Sequence, residues 1–256
     1  MNWARQIHIK SPHELQVMRE AGRINAEALA AVRALIRPGV STADLNAAAE
    51  QVLGKHGCYS PFKDYGSPPF PASICTSVNE ELVHGIPSKK RKLQAGDIIS
   101  VDCGTVFEGF VADSAFTAGV GEISEQARQL LEVTEGALYA CIEKMRIGNK
   151  TGDLSEAIQR HVEDRGMHVT REYTSHGVGR EMHEGPMVPN YGSAHTGLPL
   201  RPGMTIALEP MVLVGTNETR LLPDQWTVVS ADRSLTAHFE HSVAVTDGEP
   251  LLLTVP

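Results

Sequence analysis

The chain has 256 residues, 41% hydrophobic and 21% charged, the proportions of an ordinary globular protein, and it has no apolar run of about 18 residues that would span a membrane. Its net charge of −8 argues against a dedicated nucleic-acid binder. The start, Met1-Asn2-Trp3-Ala4-Arg5, lacks the apolar core of a signal peptide, and Cys58, Cys75, Cys103 and Cys141 lack CxxC spacing, so reduced thiols in the cytoplasm are expected; a monomer is expected as well.

In chain order, residues 1–10 read as a short head before a single domain over 11–256. Ser11-Pro12-His13-Glu14 is a capping box with proline at the first helical position, and it opens a helix predicted over about 12–36. A second helix starts near Thr42 and stops at Gly57. Lys89-Lys90-Arg91-Lys92 has two readings, a solvated loop entering a strand or a local contact to ribosomal RNA phosphates. Residues 97–104 and 110–117 alternate as a hairpin around Glu108-Gly109. A helix follows over about 124–145, then another from Thr151 to Gly166.

That order repeats. Arg37, Gly39, Thr42, Asp44, Leu45, Ala48 and Gly57 align with Arg146, Gly148, Thr151, Asp153, Leu154, Ala157 and Gly166. At nearly the same offset, Leu93-x-x-Gly96 leads to a β-rich run ending at Asp102, and Leu200-x-x-Gly203 leads to one ending at Glu209. Two related halves, about 11–122 and 123–256, are inferred. A pseudo-twofold between them would bring Asp102 and Glu209 together at the interface, a favoured place for a site.

The hairpin sharpens this. If Glu108-Gly109 is a two-residue loop, Gly104 faces Asp113, and Asp102 then shares a face with Asp113. Two carboxylates converging in an apolar strand context repel unless a cation neutralises them; the alternative is that both point to water. Glu240 holds in the second half the place that Asp113 holds in the first. Carboxylate-rich sites with few imidazoles suit manganese, iron or cobalt, and two such ions bridged by carboxylates form a common hydrolase pattern. The segment Thr174–Pro186 holds His176 and His183 among glycines and reads as a loop, flexible and polar or lining a site; it is neither a dinucleotide fingerprint nor an HExxH zinc motif.

Together, Asn79-Glu80-Glu81-Leu82-Val83-His84-Gly85-Ile86-Pro87, His176-Gly177-Val178-Gly179, Gly203-Met204-Thr205 through Glu209-Pro210-Met211, and Phe239-Glu240-His241 resemble the methionine aminopeptidases over about residues 11–252. The resemblance is to the short bacterial type I form, since the stretch from Glu209 to Glu240 leaves no room for the helical insertion of type II. It implies an α+β pita-bread fold, in which two pseudo-twofold halves of helices pack on a mainly antiparallel curved sheet. It implies an enzyme that removes the N-terminal methionine of nascent proteins when the second residue is small. The implied ligands are Asp102, Asp113 and Glu240 to one ion, and Asp113, Glu240, His176 and Glu209 to the other. A hydroxide bridging the ions would attack the first peptide carbonyl, and the substrate's free α-amine would bind one ion. Glu209 would carry the proton to the leaving amine, His183 would stabilise the oxyanion, and His84 would bind the substrate backbone. Phe70, Cys75, Met182 and Trp226, with His84 and His183 nearby, would hold the methionine. The family often has tyrosine at Ser67 and Phe70 and phenylalanine at Met182, so the pocket wall departs from its pattern. A monovalent cation near Asn79 and Thr236 is also implied, and the basic run at 89–92 is where a transient ribosome contact is expected. Of the remaining histidines, including His238, most are expected at the surface or in structural roles, and His241 is a candidate to orient Glu240. The rival readings are an X-Pro peptidase of the same fold and a non-catalytic binding protein.

Overall fold

The computed structural model describes residues 6–256, so the first five residues of the expected head lie outside it. The elements in the first half are α1 (Pro12–Leu35), α2 (Thr42–Lys55), β1 (Cys75–Val78), β2 (Glu81–Val83), β3 (Ile98–Phe107) and β4 (Phe110–Gly119). In the second come α3 (Glu125–Ile142), α4 (Thr151–Glu163), β5 (His168–Val169), β6 (Thr174–Gly177), β7 (Glu184–Pro189), β8 (Thr205–Leu208) and β9 (Met211–Leu213). The chain ends with β10 (Thr219–Leu221), β11 (Val228–Ser230), β12 (Thr236–His238), β13 (Glu240–Ala244) and β14 (Leu251–Leu252). Among the described residues no helix is long and apolar enough to cross a membrane.

The helices begin where their caps require. Ser11 accepts from the Glu14 N–H while the Glu14 carboxylate returns to the Ser11 N–H, and Ser41 with Asp44 closes the same box on α2. Gly57 and Gly166 take positive φ just beyond α2 and α4.

The main sheet runs β1-β3-β4-β13-β8-β6-β7, with β14 paired to β13. The order is symmetric about the β4–β13 seam. On each side a central strand (β4 or β13) pairs with the strand that leads to the predicted carboxylate (β3 to Asp102, β8 to Glu209), which in turn pairs with a four-residue strand (β1 or β6), and β7 adds an outer strand beyond β6. The α+β fold class that the resemblance implies is the one observed. Helices back this sheet, and one continuous apolar core joins both halves, from Ile24, Leu45 and Ile99 to Leu138, Leu154, Ile206 and Val243.

Two features fix the hairpin that carries the aspartates. Glu108 (φ 47°) and Gly109 (φ 79°) both lie in the left-handed region, as a two-residue type I′ connection requires. The register is therefore Phe107–Phe110 and Gly104–Asp113, as predicted. On the other side, the fully buried Asn25 of α1 donates to the Cys103 carbonyl and accepts from Ser114 Oγ at 2.5 Å. Its amide is thus paired on both sides, which locks the helix to the hairpin without leaving a buried polar group unsatisfied.

One expectation is corrected. Thr174–Gly177 is not a loop but the strand β6, with His176 opposite Ala207 on one side and Met187 on the other. The glycines that suggested a loop serve close approach instead: a Cβ at Gly177 would come within 2.1 Å of the Gly185 carbonyl oxygen.

Candidate active site

Asp102 and Asp113 come from β3 and β4, Glu240 starts β13, and Glu209 follows the end of β8. His176 reaches the same point from β6, and it groups with Asp113 and Glu240 so that one donor atom of each lies within 4.8 Å of the others. Backbone ties hold these positions. The Glu209 N–H donates to Ser175 Oγ at 2.9 Å, and Ser242 Oγ bonds both the N–H and the carbonyl of Asp113. His176 Nδ1 is 2.9 Å from the Gly177 carbonyl, which can only accept. The proton therefore sits on Nδ1, and the Nε2 lone pair faces the carboxylates, 3.4 Å from Glu209 Oε1.

Asp102 Oδ1, Asp113 Oδ1 and Glu240 Oε1 are buried without a hydrogen-bond partner. Burial pushes the Asp102 carboxyl up to about 7. Burial and then the neighbouring carboxylates raise Asp113, Glu209 and Glu240 well above the ordinary range. Such a cluster is costly as four anions, and an unpaired buried oxygen is costly by itself. Divalent cations remove both costs at once, and oxygen donors with one imidazole are the set that hard to borderline ions prefer. The residues present therefore fit a divalent metal site.

The cluster floors a cavity of ≈ 280 Å³. All the residues expected at the substrate end line it: Phe70, Cys75, His84, Met182, His183 and Trp226. Phe70 and Trp226 meet edge to face at 5.2 Å, and Trp226 Nε1 donates to the Pro68 carbonyl at 3.1 Å. Cys75 pairs with Asp102 across β1 and β3; burial holds its thiol well above the ordinary range, so it is a wall and not a nucleophile. His84 follows β2 with φ at 59°, a conformation uncommon outside glycine, and aims its ring into the cavity between Tyr173 and Trp226. His183 lies beside His176 with ring centroids 4.4 Å apart. Burial lowers His84 and His183 to about 4, so both are neutral donors at pH 7. Ser67, by contrast, is exposed and absent from the lining.

Several site residues escaped sequence reasoning. Phe62, Tyr65 and Tyr173 line the cavity, and Tyr65 Oη is 2.9 Å from His183 Nδ1. They lie in irregular segments with no periodicity to reveal them. His238, expected among surface or structural histidines, is 2% exposed and sits on the cavity wall near Glu209 and Glu240. A signal existed: two residues before Glu240 in an extended run, it shares that residue's face. By the same rule His241 faces away, with Nδ1 2.8 Å from Thr254 Oγ1, so it does not orient Glu240. The Asn79 carbonyl accepts from both the N–H and Oγ1 of Thr236, and Lys89–Lys92 are exposed.

A two-half α+β fold that converges four carboxylates and an imidazole under an apolar pocket defines a metal-dependent peptidase of the pita-bread class. Comparison narrows this. Residues 16–247 match metallopeptidase family M24. The chain is 49% identical to the methionine aminopeptidase of Clostridium acetobutylicum, covering 97% of this chain and 99% of that protein. It is 47% identical to methionine aminopeptidase 1 of Bacillus subtilis, covering 93% and 95%. The crystal structure of the Thermotoga maritima methionine aminopeptidase superposes with a TM-score of 0.95 at 42% identity, over 98% of this chain and all of that one. The chain belongs to metallopeptidase family M24 and, within it, to the methionine aminopeptidases.

Proposed function

We propose that the chain is a two-metal aminopeptidase that releases the N-terminal methionine of nascent polypeptides in the cytoplasm when the second residue is small. One observation carries the reading: three buried, unpartnered carboxylate oxygens, on Asp102, Asp113 and Glu240, lie at the floor of a cavity with apolar walls. Asp102, Asp113 and Glu240 would hold one ion, and Asp113, Glu240, His176 and Glu209 the other, of manganese, iron or cobalt type. Bound there, the ions supply Lewis acidity and make water a competent nucleophile at neutral pH.

The chain's own residues do the rest. Phe70, Cys75, Met182 and Trp226 take up the methionine thioether, which gains from soft, polarisable and aromatic contacts. His84 hydrogen-bonds the substrate backbone near the bond to be cut. His183, neutral and held from behind by Tyr65, donates to the oxygen where negative charge develops. Glu209 moves a proton from the nucleophile to the leaving amine.

The test is hydrolysis of Met-X-peptides, X from glycine to lysine, under reducing conditions with manganese, iron or cobalt, with D113A as control. Release of methionine that falls steeply as X grows, and is abolished in D113A, is expected. Cleavage confined to X-Pro peptides, or no metal uptake and no cleavage at all, overturns the reading.

A further inference from the structure

The two oxygens of Glu209 face different imidazoles. Oε1 lies 3.4 Å from His176 Nε2, and Oε2 lies 3.7 Å from His238 Nε2. Nε2 of His238 is also 3.8 Å from Glu240 Oε2, is fully buried, and has no hydrogen-bond partner. A ring nitrogen in that state is costly unless a further contact completes it.

The backbone around it is fixed. The His238 N–H donates to Thr117 Oγ1 at 3.0 Å, and the same hydroxyl donates to the His238 carbonyl at 2.8 Å. β12 also pairs His238 with Met211 in β9. The point from which the imidazole projects is therefore held beside the carboxylates, while Glu209 lies just past the end of β8 and has one more rotatable side-chain bond than a histidine.

We propose that His238 is a positioning residue: its Nε2–H holds Glu209 Oε2, leaving Oε1 to face the metal centre beside His176. The proposal rests on the metal reading above. At 3.7 Å the pair is beyond hydrogen-bond length, and a small rotation of the Glu209 carboxylate closes the gap. With both oxygens engaged, Glu209 has one orientation, for ligation and for proton transfer alike. Outer-shell hydrogen bonds of this kind are worth roughly 10–100-fold in metal affinity or activity.

The experiment compares H238L, which fills the space without a donor, with H238Q, which restores an N–H donor without an imidazole. Manganese binding is measured by calorimetry, alongside kcat and KM on a Met-Gly peptide. H238L is expected to weaken the more loosely held ion and lower kcat by about 10–100-fold, with KM little changed. H238Q is expected to stay within about 3-fold of the wild type on both, since a replaced hydrogen bond costs little. If H238L does not fold, H238M reads the same contrast. A donorless variant that matches the wild type overturns the proposal, as does an H238Q that is as impaired as the donorless variant. A wild-type chain that takes up no manganese overturns the metal reading and this proposal with it.

Discussion

Lys10 Nζ lies 2.5 Å from Glu184 Oε2, with both side chains almost wholly buried. Glu184 opens β7 just after His183, and its other oxygen accepts the N–H groups of Arg180 and Glu181. The head is held there a second time, by the Gly185 N–H donating to the Gln6 carbonyl at 3.0 Å. The ion pair therefore anchors the loop that presents Met182 and His183. Burial alone lowers the Lys10 ammonium, and Glu184 offsets part of that cost. Removing the cation in K10M strands a buried carboxylate, a change that typically costs about 3–5 kcal/mol. Denaturant unfolding is expected to show a loss of that size, partly recovered in K10M/E184Q. A K10M chain as stable as the wild type would mean that the backbone donors alone satisfy Glu184.

Tyr65 Oη and His183 Nδ1 form the other buttress, at 2.9 Å with ring centroids 5.6 Å apart. Because Tyr65 itself is exposed, Y65F removes one hydrogen bond while keeping the ring contact. A neutral hydrogen bond is worth about 0.5–1.5 kcal/mol, so kcat is expected to fall roughly 3–10-fold with KM nearly unchanged. An unchanged kcat would show that His183 is oriented by its other contacts.

How far these residues were legible depends on regularity. The Asp102–Asp113 face followed from a two-residue turn and a period of two, and the register came out as drawn. Thr42 and Thr151 marked the starts of α2 and α4 because helix-start chemistry is local. His176 was found by resemblance but misplaced in a loop, since glycines that permit close strand packing look the same in sequence as glycines that permit turns. Tyr65 and Phe62 were invisible because the path from Cys58 to Ile74 has no repeat, and only tertiary contact brings it over the cavity. Asn25 was unreadable for the opposite reason: in sequence it is one polar residue in a helix, and its partners Cys103 and Ser114 are far along the chain.

The pH dependence of the metal-free protein has a definite sign above about pH 7.5. Asp102 rises from an ordinary 3.8 to about 7, and Asp113, Glu209 and Glu240 are raised well beyond their ordinary values, burial being the first cause. A raised carboxylate binds its proton more tightly folded than unfolded, so its contribution to stability is lost as pH climbs toward the folded value. His84, His176, His183, His238 and His241 are lowered from 6.5 to about 3 or 4, so they oppose this trend until their unfolded forms have lost their protons, by about pH 7.5. Above about pH 7.5 the histidines no longer oppose the carboxylates, and the buried thiols of Cys75, Cys103 and Cys141, raised above their ordinary range, act in the same direction up to pH 8.5. The melting temperature of chelator-treated protein is expected to fall over that window, and added manganese is expected to abolish the fall by pairing the ionised oxygens. A flat or rising metal-free profile would contradict the burial of the four carboxylates.

Methionine selectivity should respond to a residue that touches no substrate. Gly66 has a φ of +76°, and a Cβ there would lie 2.6 Å from Trp226 Cη2 and 2.9 Å from Cζ2. The indole cannot give way freely, because Nε1 is bonded to the Pro68 carbonyl and the ring packs edge-on with Phe70. G66A therefore either displaces the Trp226 ring into the cavity or pulls the loop at residues 65–70 away from it, and both change the volume offered to the methionine side chain. A misfit of about one methylene in an apolar pocket is worth about 1–3 kcal/mol, so kcat/KM for Met-Gly peptides is expected to fall roughly 10–200-fold. The metal ligands are on other elements, so manganese affinity should stay at the wild-type value in the same preparation. Loss of both together would mean that the loop supports the whole site; loss of neither would place the methionine side chain elsewhere in the cavity.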